Sequence, residues 1–305
     1  MTALIHTVIV YGSNLWMLKE CLDTLYSQHA DVCVTVVNNT LSAVPTLFLD
    51  EQNSRFTSFR WIDNAAPQGY SANNNLAIRQ TAAGTPYILL LNDDVHLMDN
   101  ALRTMTDVMN ACECVGAVGP RILNRDLSLQ WAQIPFAAGL PGILQAIFGN
   151  RIAVRSMKGR SDFWLAGACL LVRSVALQEA GILDEGYGPG YGEDMDLLWR
   201  LRNSGWEVTY CNQASIIHQG GSSFGQLSYW RHRLIYHNLF RFMRKWLPPW
   251  QEKLLKACWL FGIGLRLIIT LNQFKRKNRK IDYGLALRAI LQELTANPES
   301  ALTAL

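Results

Sequence analysis

The sequence predicts an α/β protein with a mostly parallel central sheet flanked by helices, followed by a C-terminal amphipathic helical segment. Three observations carry this. Apolar runs of strand length recur at Leu4–Val10, Val32–Val37 and Pro86–Leu91, and such runs, ending in polar tips, are the pattern of strands buried on both faces of a parallel sheet. Between the first two, Leu15, Leu18, Leu22 and Leu25 repeat with helical spacing. Beyond residue 230 the composition shifts to Lys, Arg, Trp and aliphatics.

The 305 residues suffice for one large α/β domain with an appendage, and half of them are apolar, which excludes disorder as the default. Seven cysteines are scattered without paired metal-ligand spacing, Cys112 and Cys114 being the nearest two. That pattern suggests a reducing compartment and buried thiols. The first strand begins at once, with no basic segment and signal-length apolar core before it, so a secretory signal is not expected.

Taken in order, Leu4–Val10 ends at Tyr11-Gly12-Ser13-Asn14, and Ser13 or Asn14 can cap a helix running to about Gln28. Val32–Val37 ends in Asn38-Asn39-Thr40, and a short third strand over about 57–62 ends in Asp63-Asn64. Right-handed strand-helix-strand connections put these strand ends on one edge. Tyr11, Asn38 and Asn39 there offer an aromatic face and amides fit for a base and a ribose, although ordinary loop chemistry accounts for the same residues. Gln68–Ile78 starts a helix with Asn73, Asn74 and Asn75 near its N-terminus, where backbone amides attract phosphate.

The central stretch is Pro86–Asp94, an apolar strand that stops at Asn92-Asp93-Asp94. Open α/β sheets bind ligands at the carboxyl ends of their strands. Two carboxylates and a carboxamide there form a hard-oxygen cluster suited to Mg2+ or Mn2+ carrying phosphates, or simply a turn. A helix over about 100–112 and a strand from Val115 follow; residues 124–162 read as an irregular insertion. Strand character returns at Trp164–Val172, where Gly167 allows close backbone approach. A glycine-rich loop, Gly186–Gly192, then feeds a helix beginning Glu193-Asp194-Met195-Asp196. From Asp194, positions three, four and seven on are Leu197, Leu198 and Leu201. That spacing predicts Asp194 inward and Glu193 nearer solvent, with Glu193 and Asp196 complementing the helix dipole. Strands at Gly205–Tyr210 and Ile216–His218 complete the series. No phosphate-binding loop ending in Gly-Lys-Ser/Thr and no Gly-x-Gly-x-x-Gly after the first strand occur, which argues against a kinase-type NTPase or a simple dinucleotide fold.

Together these pieces resemble the inverting family 2 glycosyltransferases with a GT-A fold, and within them the bacterial rhamnosyltransferase-type enzymes of O-antigen and cell-wall assembly. The resemblance covers about residues 4–224. It implies that Tyr11, Asn14, Asn38, Asn39, Asn74 and Asp93 bind the donor nucleotide. Asp94 and His218 would hold Mg2+ or Mn2+, Asp194 would be the catalytic base, and Gly167, Ala168, Tyr191 and Glu193 would face the acceptor. Two departures stand out: Asn38 and Asn92 occupy positions that are usually acidic in the family. The implied reaction moves a sugar, foremost L-rhamnose from dTDP-rhamnose, to a saccharide or polyprenyl-diphosphate-linked acceptor. Alternatives are a UDP-hexose donor, a nucleotidyltransferase, or a non-catalytic sugar-nucleotide-binding protein. The nucleotidyltransferase would be expected to carry a basic Gly-rich first loop, which Tyr11–Asn14 is not.

The domain division expected is 1–230 for the transferase, itself split into a nucleotide-sugar half (1–120) and an acceptor half (121–230), with 231–305 a basic, apolar membrane-association segment. Residues 231–280 carry thirteen Lys/Arg against Glu252 alone, a local charge of +12, leaving −8 on the remainder of a chain of net +4. An acidic body with a basic tail points to an anionic membrane surface, and the tail's apolar content favours lipid over nucleic acid. Lys256 and Arg266 interrupt the apolar stretch 254–274, so a helix lying in the interface is expected over one that packs on the domain or spans. The expected location is cytoplasmic, attached to the inner face of a bacterial inner membrane.

Overall fold

The computed structural model describes residues 4–12, 14–130, 133–135, 143, 146–147, 163–220, 229–271 and 277–295. Ser13, most of the 124–162 insertion and the start of the acceptor-side tail after Gly220 therefore lie outside the described residues. The chain forms two compact units, one of Met1–Gln133 with Phe163–Ser223 and one of Ile134–Asp162 with Phe224–Leu305.

The first unit runs β1 (Ile5–Tyr11), α1 (Leu15–Tyr26), β2 (Val32–Asn38), α2 (Thr46–Arg55), β3 (Ser58–Asp63), α3 (Tyr70–Ile78), β4 (Tyr87–Asn92), β5 (Val95–Leu97), α4 (Ala101–Ala111) and β6 (Val115–Leu123). After β7 (Gln133–Pro135), at the boundary between the units, come β8 (Phe163–Leu165), β9 (Cys169–Arg173), α5 (Ser174–Ala180), α6 (Glu193–Asn203) and β10 (Glu207–His218). The eight-stranded sheet has the order β3-β2-β1-β4-β9-β6-β10-β5. Strands β3, β2, β1 and β4 are parallel, as are β6 and β10; β9 runs antiparallel to β4 and β6, and β5 antiparallel to β10. In β4, Tyr87 through Leu91 are all buried, as a strand covered on both faces requires. Each such leucine contributes about 1.5–3 kcal/mol by leaving water.

This topology positions the site. From β1 the chain order steps one way to β2 and β3 and the other way to β4, so the strand order reverses between β1 and β4. Ligands of open α/β sheets bind in the crevice at such a reversal. Register aligns the strand tips there: Tyr11 pairs with Asn38, Asn38 with Asp63, and Val10 with Asn92.

Several elements differ from the sequence expectation. Helices α2 and α5 and edge strand β5 form where no element was expected; they are short, and their apolar positions are too few to show a period. The stretch Trp164–Val172 is two strands, separated at Ala166–Ala168, whereas Gly205–Tyr210 and Ile216–His218 join into one strand, β10, through an irregularity between Cys211 and Ser215. Cys112 and Cys114 form a disulfide across a Cα separation of 5.3 Å, where a reducing compartment with mostly buried thiols was expected; the other five cysteines are free. The turn from α4 into β6 folds the chain back and brings the two side chains together.

The second unit contains α7 (Tyr229–Trp246), α8 (Pro249–Leu271) and α9 (Lys277–Thr295). Helix α8 begins five residues earlier than the apolar stretch suggested, because Pro249 in the first turn needs no hydrogen-bond donor there. Glu293 of α9 accepts from Arg233 Nε (3.1 Å) and pairs with His237 Nδ1 (2.8 Å), both on α7. These bonds hold the Glu293 carboxyl below the usual range against the burial that would raise it. No described helix is long and apolar enough to cross a membrane.

Candidate active site

The strand-reversal crevice collects the acids. Asp93 Oδ2 accepts from Gly12 N at the tip of β1 (2.9 Å), fixing the β4 tip against the first loop. Asp94 Oδ2 accepts from Gly220 N (3.1 Å), and its Oδ1 lies 3.3 Å from His218 Nε2. Both aspartates are buried.

The second nitrogen of His218 shows what that pair can bind. Gln130 Nε2 donates to the carbonyl of His218 and to Asn124 Oδ1, so Gln130 Oε1 is the atom left for His218 Nδ1, 2.8 Å away. Nδ1 therefore carries a proton, and in the neutral imidazole Nε2 presents a lone pair toward a carboxylate oxygen. Two acceptors facing each other at that distance suit a cation between them, and a hydrogen-bonded outer partner on the far nitrogen is the usual support of a metal-ligating histidine. Among the described residues no group of three or more His, Cys, Asp or Glu converges. The protein thus offers two donors, and Mg2+ or Mn2+ would take its remaining oxygens from phosphate and water, as such ions commonly do.

Asn92 bridges this corner to the next strand. Its backbone N–H donates to Ala168 O (2.9 Å), its Oδ1 accepts from Tyr70 Oη (2.9 Å), and its Nδ2 lies 3.4 Å from His218 Nε2. Tyr70 Oη also lies 3.4 Å from Gly167 O. Gly167 N donates to Asp194 Oδ2 (2.8 Å), while Met195 N donates to Oδ1 (2.8 Å). A Cβ on Gly167 would sit 3.1 Å from Asp194 Cβ, so glycine is what lets the carboxylate approach the β8–β9 turn. Asp194 thus stands two hydrogen bonds from the acids of the β4 tip.

The burial of α6 corrects the helical-face argument. Glu193 is only 7% exposed and Asp196 fully buried, whereas Asp194 is half-buried. First-turn side chains of a helix lie over the preceding loop, not over the packing face that governs later turns. Here Gly192 at φ +100° and Tyr191 at φ +69° turn that loop back over Glu193. Asp196 serves structure: it accepts from Arg200 Nε (2.8 Å) and Tyr187 Oη (3.2 Å), and Arg200 also donates to the carbonyls of Ala180, Gly181 and Ile182. Glu193 Oε2 has no hydrogen-bond partner, and burial, then the adjacent Asp194, raises its carboxyl well above the usual range. The same burial, with Glu193 and Asp194 adding to it, pushes the Tyr70 phenol up. Glu193 is thus driven toward its protonated form, while two backbone N–H donors stabilise a charge on Asp194. The glycine-rich loop is tied down as well, Tyr70 N donating to Pro189 O (2.9 Å).

The amides expected at the nucleotide end are engaged within the protein. Asn38 uses all four hydrogen-bonding positions, donating to Ser42 O and Asp63 Oδ1 and accepting from the Thr40 N–H and hydroxyl. Asn39 clamps the Gln68 backbone and accepts from Asn64. Asn73, Asn74 and Asn75 are buried, bonded to Gln68 O, Tyr70 O and Leu183 O. Asn14 caps α1 through Met17 N (3.0 Å). Tyr11 is buried, its ring 5.8 Å from that of Trp61. The residue that sequence reasoning passed over is Asp63: exposed at the tip of β3, it accepts from Asn38 and from Trp61 Nε1 (2.8 Å). Its position at the end of a strand whose neighbours end in Asn38 and Tyr11 was the available signal.

This fold is that of GT-A glycosyltransferases. A family model for glycosyltransferase-like family 2 matches residues 8–236, and the chain belongs to that family. An N-acetylglucosaminyl-diphospho-decaprenol L-rhamnosyltransferase of Mycobacterium tuberculosis is 29% identical over 192 residues, 56% of this chain; the match spans 62% of that relative's length. Among solved structures, the mannosyltransferase PcManGT of Pyrobaculum calidifontis, in complex with GDP-Man and Mn2+, aligns with a TM-score of 0.63 at 11% identity, covering 95% of this chain and 87% of that one. TarS 1-349 of S. aureus with UDP-GlcNAc aligns at 0.55 and 13%, covering 96% and 81%. Identities this low speak to the fold alone.

Proposed function

We propose that the protein is a metal-dependent inverting glycosyltransferase that moves a sugar from a nucleotide donor to a saccharide acceptor, and that the acceptor is lipid-linked. The observation that carries it is the pairing of a half-buried, backbone-bonded Asp194 with the Asp94–His218 acceptor pair across Asn92 and Gly167. L-rhamnose is the first choice of sugar, on the strength of the mycobacterial relative, with dTDP-rhamnose as the donor the family resemblance implies; a UDP-hexose is the second.

Asp94 and His218 would hold the divalent cation, which would supply charge neutralisation for the departing diphosphate. Asp93, fixed to Gly12, orients the donor's ribose end, and Asp63 supplies the acid at the base end that Asn38 lacks. Asp194 takes the proton of the acceptor hydroxyl as that oxygen attacks the anomeric carbon opposite the leaving group. Glu193, its carboxyl pushed up by burial and then by Asp194, leaves the backbone-bonded Asp194 the better base of the pair. The loop Gly186–Gly192, with Tyr191, walls the acceptor side. The resemblance to the inverting family 2 enzymes supports a single displacement with inversion at the anomeric carbon.

A thermal-shift panel of dTDP-, UDP- and GDP-sugars, each with and without Mn2+, tests the reading, since a ligand that binds only the native state raises its apparent stability. A metal-dependent shift with one nucleotide, and transfer abolished by Asp194→Asn, are expected. Unchanged turnover in Asp194→Asn removes the base assignment.

A further inference from the structure

Helix α8 exposes large apolar side chains in a pattern that neither catalysis nor packing explains. Trp250 is 64% exposed, Phe261 62% and Ile268 64%. With exposed Leu254 and Ala257 and half-buried Leu265, they recur at four- and three-residue steps. At 3.6 residues per turn these six lie within ~80° of one another, over ~27 Å of helix. The opposite side of α8 carries Leu255, Ile263 and Thr270, all buried. An exposed apolar stripe of this length on a folded unit marks an interaction surface.

Charge selects the partner. Exposed Arg244 and Lys245 precede the stripe, exposed Lys253 flanks it, and the sequence adds five Lys/Arg between Lys275 and Lys280. Glu252, the single acid of residues 231–280, is neutralised by Lys256 (2.5 Å). A second copy of this chain meeting the stripe with its own stripe would set +12 against +12, and a nucleic acid has no use for the stripe. We infer that α8 lies flat on an anionic lipid surface, its stripe in the acyl boundary and its basic residues on the headgroups. A helix of 23 residues without a spanning apolar window is suited to this attitude.

The inference is independent of the catalytic reading, because its test contains no sugar nucleotide. The full chain is sedimented with vesicles of phosphatidylcholine alone or with 30 mol% phosphatidylglycerol, at low and high salt, and its mass is measured in solution. We expect binding to the anionic vesicles, weakened by salt, and at least a tenfold loss of partitioning in Phe261→Ser/Ile268→Ser with an unchanged melting temperature. Should that variant fail to fold, Arg244→Glu/Lys253→Glu, altered only at exposed charges, must show the same loss. Absent binding by folded wild type, equal binding to neutral vesicles, or stronger capture by duplex DNA than by vesicles overturns the inference. So does a wild-type dimer that the serine variant dissociates.

Discussion

Gly167→Ala tests the base assignment without touching a polar atom. The new Cβ would meet Asp194 Cβ at 3.1 Å, Oδ2 at 3.4 Å and Cγ at 3.6 Å. Carbon–carbon contacts settle at about 3.5 Å or beyond, so the carboxylate must withdraw by about 0.4 Å. A 1 Å misplacement in an active site can cost about 10²-fold, so a shift of this size costs about sixfold, or roughly 1 kcal/mol. Stretching the 2.8 Å bond from Gly167 N adds to that and brings the expected fall in kcat to about tenfold. Asp93, Asp94 and His218 lie on other elements, so the donor KM should stay within about twofold. Steady-state transfer with saturating acceptor, read beside a thermal melt, gives both numbers. A kcat within twofold of wild type, or a loss confined to donor KM, would refute the placement of Asp194 beside the acceptor hydroxyl.

Three further perturbations follow from the same contacts. Gln130→Ala removes the acceptor that fixes the His218 tautomer, and should weaken Mn2+ binding in the presence of nucleoside diphosphate by about 10–100-fold, measured by calorimetry. Glu193→Gln should stabilise the fold as pH rises. The raised Glu193 carboxyl keeps its proton in the native state while the unfolded chain has lost it, so wild-type stability falls above the unfolded value by at most about 1.4 kcal/mol per pH unit. Urea midpoints at pH 5 and 8 will show whether the glutamine variant flattens that slope. His6, bonded to the hydroxyls of Thr35 and Thr81, is pushed down to about 4 by burial and then by Arg60. The unfolded imidazole binds a proton near 6.5, so stability should fall between there and pH 4, by ~3 kcal/mol in all, and His6→Gln should abolish that fall.

What could be read from the chain, and what could not, divides along physical lines. Buried parallel strands announce themselves: Tyr87–Leu91 is apolar because both faces are covered, and its polar tip gave Asp93 and Asp94 before any coordinates. Asp194 was found by a periodicity that does not apply to it, since first-turn side chains are placed by the preceding loop; the same rule misplaced Glu193, and Asp196, read as complementing the helix dipole, is buried and anchors Arg200. The amides mislead for a different reason. An asparagine near a ligand crevice and one that pins a loop have the same composition signal, and only the partner count separates them: Asn38 spends every position on Ser42, Asp63 and Thr40. Asn38 holds Asp63 in place at the adjoining strand tip, and on the proposed reading that carboxylate serves the base end one strand along the edge. Asn92 works the same way at the metal corner. An acid there would face Asp94 and its neighbours with added negative charge, whereas the amide accepts from Tyr70 and turns its NH2 toward His218. If that is its role, Asn92→Asp should not restore activity as a return to the family pattern would suggest. It should lower donor turnover and shift the Mn2+ requirement upward, and a variant faster than wild type at every metal concentration would show that the amide is a tolerated loss instead of a working part.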